Sequence, residues 1–174
     1  MGNQKFEIVS ALSNINWVGR KITGAHNGTI GIKAGQLIMD GDRLKGGRII
    51  VDTASIRILD ITDLATNAQF AGHLASDDFF STEKYPEAIL EITSASAGWA
   101  DAHLTIKGTT HSVTFETHVD MDVNQNTVIA TGKMVIDRTK YGMRFRSGNF
   151  FKDLGDNLIY NDFELDISVI AKAV

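Results

Sequence analysis

Residues 112–137 read SVTFETHVDMDVNQNTVIATGKMVID, and this stretch decides the fold class. Val113, Phe115, Val119, Met121 and Val123 occupy odd positions, while Ser112, Thr114, Glu116, His118, Asp120 and Asp122 occupy even ones. Side chains alternate faces along a strand, so this separation puts one face in a core and the other toward water. Asn124-Gln125-Asn126 interrupts the pattern as a turn does. Val128, Ala130, Gly132, Met134 and Ile136 then resume it, as the return strand of a hairpin would.

The same alternation closes the chain. Phe163, Leu165, Ile167, Val169 and Ala171 share one parity, and Asp162, Glu164, Asp166 and Ser168 the other. Upstream, residues 16–23, 29–39, 46–59, 88–94 and 102–107 carry β-branched residues between Gly, Asn or Asp breaks. About eight strands are predicted. Asp63 followed by Leu64, Ala68, Ala71 and Ala75 has the helical spacing and a capping residue instead, so one short helix is expected there. The expected fold is all-β: an antiparallel barrel of about eight strands, because closure removes the exposed strand edges that template aggregation. A barrel of that size is either filled by its own side chains or wide enough for one small ligand.

With 174 residues, no internal repeat and no Pro-rich linker, the chain reads as a single domain, 1–174. A chain this long buries enough surface to need no staples, and it contains no cysteine. Disulfides, Cys-ligated metals and thiol catalysis are thereby excluded. The 17 Lys+Arg against 21 Asp+Glu are mixed in sign and give a net charge of −4, which argues against nucleic acid as a partner. No apolar run has the length of a membrane span. The start of the chain lacks the pattern of a secretory signal, so a cytoplasmic location is expected as written, and a periplasmic one if a leader has been removed.

Catalytic signatures are weak. The five histidines, His26, His73, His103, His111 and His118, include no pair at the helical spacing of a zinc motif. His111 and His118 differ in parity and point to opposite sheet faces. No nucleophile elbow, phosphate loop or dinucleotide fingerprint is present. No catalytic residue, metal site or cofactor is expected.

Several groups of residues together resemble the YceI-like family. They are Gly72-His73-Leu74, Asp78-Phe79-Phe80 and Tyr85-Pro86-Glu87; Leu104-Thr105-Ile106-Lys107-Gly108 with His111; Ile136-Asp137-Arg138-Thr139-Lys140-Tyr141-Gly142; and Asp162-Phe163-Glu164-Leu165. The resemblance implies an extended lipocalin-like barrel whose apolar interior holds a polyisoprenoid or similar long-chain lipid, without catalysis. It also implies that the helix is a cover packed on the barrel, shielding outward apolar residues such as Ile50, Ile58, Ile129 and Val135.

The expected ligand is therefore a polyisoprenoid, an isoprenoid quinone or a fatty-acid-like lipid, bound or transported in the lumen. The expected lining comprises Trp17, Ile49, Val51, Leu90, Ile92, Val113, Phe115, Val119, Met121, Met134, Ile136, Phe163, Leu165 and Ile167. Arg138, Tyr141 and Arg144, with Lys140, are the polar residues expected at the mouth. A buried CH₂ contributes about 0.8 kcal/mol, so the tail should dominate affinity and the mouth should choose the headgroup. Two alternatives predict different things: a lumenal isomerase or hydrolase using His73 or His111 with a carboxylate, and a filled β-domain that presents a protein-binding face. Pairing of two copies into a homodimer is a further expectation.

Overall fold

The 112–137 hairpin forms as its alternation requires. In the computed structural model, which describes residues 2–148, 150–152 and 154–174, strands β7 (Thr109–Asp122) and β8 (Thr127–Asp137) pair antiparallel from Glu116↔Lys133 to Asp122↔Thr127. Asp122 Oδ1 accepts hydrogen bonds from the Asn124 and Gln125 backbone N–H groups, at 3.1 and 3.3 Å, and so shapes the turn.

Upstream lie β1 (Asn3–Ile8), β2 (Asn14–Lys21), β3 (Gly24–Asp40), β4 (Arg43–Ile58), helix α1 (Leu64–Ala75), β5 (Glu87–Ser96) and β6 (Trp99–Ile106); β9 (Ile159–Ala173) ends the chain. From β2 to β9 each strand pairs antiparallel with the next, β8 meeting β9 across the long 138–158 connection, and β9 returns to pair with β2. The sheet is therefore a closed eight-stranded barrel with one helix.

The ninth strand, β1, has no place of its own in that ring. It continues the line of β2 beyond a 3-10 turn at Ser10–Leu12, pairing with Gln36–Asp40 of β3 and Ala171–Ala173 of β9. Ser13 bridges the break: its hydroxyl donates to the Val9 carbonyl at 2.8 Å and accepts from the Ile170 N–H at 3.1 Å. Lys5-Phe6-Glu7-Ile8 carries the strand alternation, but it is too short to stand out in the sequence.

Two features of the fold depart from expectation. Between Thr29↔Arg57 and Gly31↔Asp52 the β3–β4 register slips, so β4 carries a bulge at residues 53–56. Ser55 closes it, its hydroxyl donating to the Asp52 carbonyl (2.6 Å) and accepting from the Gly31 N–H (2.7 Å). The bulge reverses parity: Ile49 and Val51 are buried before it, Thr53 at its start, and Ile58 after it. Ile58 is thus an inward residue rather than an outward one under the helix. Ile129 and Val135 do face outward, but they are exposed, at 45% and 63%. No cover shields them, because α1 packs against β4 instead.

The helix starts where the capping residue predicts. Asp63 accepts from the Thr66 N–H at 2.9 Å and the Thr66 hydroxyl at 2.6 Å. Asn67 ties α1 to the strand before it through bonds to the Ile58 and Ile61 carbonyls at 2.9 and 3.0 Å.

The barrel is packed unevenly along its axis. At the end holding β1, Phe6, Leu37, Met39, Val128 and Ala171 are almost completely buried. Midway, the Phe115 ring lies across Gly132, 3.1 Å from the point where a Cβ would stand. Here the barrel is filled by its own side chains.

Candidate functional site

At the opposite end the filling stops. Trp17 of β2, Ile30 of β3 and Phe163 and Leu165 of β9 border a cavity of about 580 Å³, within the range of small-molecule sites. Further walls come from outside the ring: Phe70, His73 and Leu74 of α1, Phe79 and Phe80 of the following loop, and Met143 and Phe145 of the 138–158 connection. Exposed Arg20, Lys21 and Arg146 stand at its rim.

Three local arrangements hold this mouth open and in shape. Gly28, opposite Trp17 in the β2–β3 ladder, gives the indole room; a Cβ there would lie 2.6 Å from the ring. Trp17 Nε1 donates to the Thr29 carbonyl at 3.2 Å, so the one polar atom of the ring is satisfied within the wall. The segment leading into α1 is clasped to the start of β3: His26 Nδ1 and Asp60 Oδ2 lie 2.7 Å apart, and the Asn27 N–H donates to Asp60 Oδ1 at 3.1 Å. Partial burial pushes the Asp60 carboxyl upward, but these hydrogen bonds, one from its own backbone and the attraction of the His26 ring together outweigh it and lower its pKa from the ordinary value. The His26 ring also tilts onto Phe70, with centroids 5.0 Å apart.

Arg138 is the third. It follows the end of β8 in a 3-10 turn started by Asp137, whose carboxylate accepts from the Thr139 N–H at 2.9 Å. The residue is 4% exposed. Nε donates to the Tyr160 carbonyl (3.0 Å), Nη1 to Met143 (2.6 Å) and Nη2 to Ile159 (3.0 Å), which pins the connection to the start of β9. Its guanidinium lies over Phe79, 5.8 Å from the centroid. Desolvation pushes its pKa below the ordinary arginine value.

His73, Phe79 and Phe145 meet edge to face in the cavity wall, with centroids 4.6 to 5.9 Å apart. His73 Nε2 lies 2.9 Å from Asp78 Oδ2, a base with an orienting carboxylate. The Thr66 hydroxyl in the same wall is engaged with Asp63, so no histidine-activated nucleophile is assembled from it. His111 lies elsewhere, its Nε2–H donating to the Lys140 carbonyl (2.8 Å) and its ring standing edge-on to Tyr141. Among the described residues no three His, Asp or Glu side chains come together as metal ligands would.

Of the residues expected to line a lumen, Trp17, Phe163 and Leu165 border the cavity, as does Arg138 among those expected at the mouth. Ile49, Val51, Leu90, Ile92, Phe115, Met134, Ile136 and Ile167 are buried in the barrel core but do not border it. Val113, Val119 and Met121 are half-buried against that core. Tyr141 is 2% exposed under the His111 ring, its hydroxyl pKa raised by burial, and Arg144 is exposed over Phe150 at 4.5 Å. Sequence reasoning missed Ile30, Phe70, Phe145 and Arg146 as wall residues. It quoted Gly72-His73-Leu74 and Asp78-Phe79-Phe80 for the family resemblance, yet four of those six residues border the cavity.

The family model for the YceI-like domain matches residues 6–171. The chain belongs to that family. YceI-like architecture is also what the solved structures share. BcnA of Burkholderia cenocepacia superposes with a TM-score of 0.74 at 20% identity, covering 95% of this chain and 99% of that one. A polyisoprenoid-binding domain from Saccharophagus degradans, implicated in plant cell wall breakdown, gives 0.69 at 14% identity over 97% and 98%. The YceI protein of Campylobacter jejuni gives 0.58 at 18% identity over 88% and 82%. Among curated proteins, a UPF0312 protein of Staphylococcus aureus is 38% identical over 80 residues, 42% of this chain; the match spans about half of that relative's own length, 46%. No helix among the described residues is long and apolar enough to cross a membrane.

Proposed function

We propose that this YceI-like protein binds an isoprenoid-like or comparably long apolar lipid in the cavity at the barrel mouth, and that it carries the lipid rather than transforming it. The observation that carries the reading is the cavity itself: about 580 Å³ of space walled by Trp17, Ile30, Phe70, Leu74, Phe163 and Leu165, at the end of the barrel opposite the close-packed one that holds β1. Apolar walls of this kind reward removal of a hydrocarbon tail from water, at about 25 cal/mol per Å² before the costs of immobilisation. The solved relative named for polyisoprenoid binding supports the same ligand class.

Organic extraction of the purified protein followed by mass spectrometry tests the proposal. A prenyl or long-chain lipid is expected in the extract from the wild type and is expected to be depleted in Leu165→Asp at matched folded yield. Equal recovery from both would place the lipid outside the cavity, and no lipid together with no binding of added prenyl alcohol would end the carrier reading. The hydrolase or isomerase alternative draws on the His73–Asp78 pair in the wall. It predicts turnover that His73→Gln abolishes while lipid recovery is unchanged. A filled protein-binding domain is disfavoured by the cavity.

A further inference from the structure

The walls of the cavity are largely apolar, and its charged groups are mostly cationic. Arg20, Lys21, Arg138 and Arg146 border it, against the single carboxylate of Asp162. The chain as a whole is acidic, at −4, so this cationic mouth runs against the overall balance. Arg20 is neutralised by Glu164 at 2.9 Å. Among the described residues, no carboxylate lies within 4.0 Å of Lys21, Arg138 or Arg146.

Arg138 is the most telling of these. A guanidinium that is 4% exposed has lost its water, and buried charges are ordinarily paired with an opposite charge. Here its three nitrogens meet the carbonyls of Tyr160, Met143 and Ile159, which satisfy hydrogen bonds without cancelling charge. A guanidinium carries five N–H groups, so two remain beyond those three bonds. Asp137, the neighbouring carboxylate, binds the Thr139 N–H and hydroxyl rather than the guanidinium, and its charge offsets the burial of Arg138 only in part. Lys21 and Arg146 then provide exposed cations at the opening, Arg146 lying against Phe145 at 5.0 Å.

We propose that the lipid held here bears an anionic head, a carboxylate or a phosphate, which sits at the mouth between Lys21, Arg146 and Arg138 with its tail in the apolar cavity. This rests on the carrier reading above and adds the class of head to it. The tail contributes most of the affinity; the head supplies selectivity. A charge-assisted hydrogen bond to one head is worth about tenfold in affinity or more over a neutral head of the same size.

The test compares farnesol, farnesoate and farnesyl phosphate, which share one tail, by titration against delipidated protein. Variants are Lys21→Gln with Arg146→Gln, which alter exposed side chains and leave the fold intact, and Arg138→Met, checked first by its melting curve. One or both anions are expected to bind about tenfold or more tighter than farnesol to the wild type, and the preference is expected to fall several-fold in the double variant. Whichever anion leads tells a carboxylate ligand from a phosphate. Equal binding of all three probes, or a preference that survives the double variant unchanged, overturns the anionic head and leaves the lipid carrier standing. Failure of all three to bind overturns both. If Arg138→Met does not fold, the double variant alone decides.

Discussion

Gly28 shows how a single residue shapes the cavity wall. Its missing side chain lets Trp17 lie flat against β3, and a methyl group there would also run into the Arg57 carbonyl of β4. Gly28→Ala is therefore expected to destabilise the protein by about 1–3 kcal/mol through overpacking. Urea denaturation measures that loss, and a red shift of Trp17 emission, with Trp99 replaced by Phe to remove its background, reports displacement of the indole. Asp60 acts through charge instead. Its carboxyl titrates below the unfolded value of about 3.9, so the clasp stabilises the fold fully above that pH and loses its effect as pH falls through the lower folded value. Wild type should exceed Asp60→Asn in urea midpoint near pH 6, and the two should converge as the pH falls through the lowered folded-state value of the carboxyl. A constant difference across that range would mean that Asp60 acts by shape alone.

At the scale of elements, the strands with clean alternation, β7, β8 and β9, are legible from parity, and so is α1 from its Asp63 cap. The missed β1 and the misplaced Ile58 have one cause, which is that pairing partners lie far away in the chain. β1 is six residues long and is a strand because β3 and β9 supply its hydrogen bonds, about 30 and 165 residues downstream in the registers Phe6↔Leu37 and Phe6↔Ala173. Likewise, the bulge at residues 53–56 exists in relation to β3, and nothing local in Thr53-Ala54-Ser55-Ile56 announces that Ile58 turns inward. Phe6 is 1% exposed and plugs the filled end, so Phe6→Ala is expected to cost about 3–5 kcal/mol, read from equilibrium unfolding. Lipid retained by the folded fraction should be unchanged, since Phe6 does not border the cavity.

The whole molecule divides the barrel axis between two duties. One end is a close-packed core that supplies stability; the other trades packing for space and recovers its walls from α1 and the 138–158 connection. Polar substitutions should separate these duties: Met39→Asp, at a fully buried position, should abolish folding, whereas Leu165→Asp should leave a folded protein depleted of lipid. Circular dichroism and lipid mass spectrometry on the same preparations check both. The polarity pattern along the chain specifies which residues turn away from water, because that choice is made element by element from local chemistry: alternation marks the strands and most of the core, and helical spacing after Asp63 marks α1. It leaves open where along the axis the interior is vacant. That depends on which side chains meet across strands distant in sequence: Phe115 over Gly132 fills the middle, while Trp17 beside Gly28, with Phe70 and Phe145 arriving from separate segments, encloses a hollow. A volume is a property of the assembled surfaces around it, and no residue carries it alone.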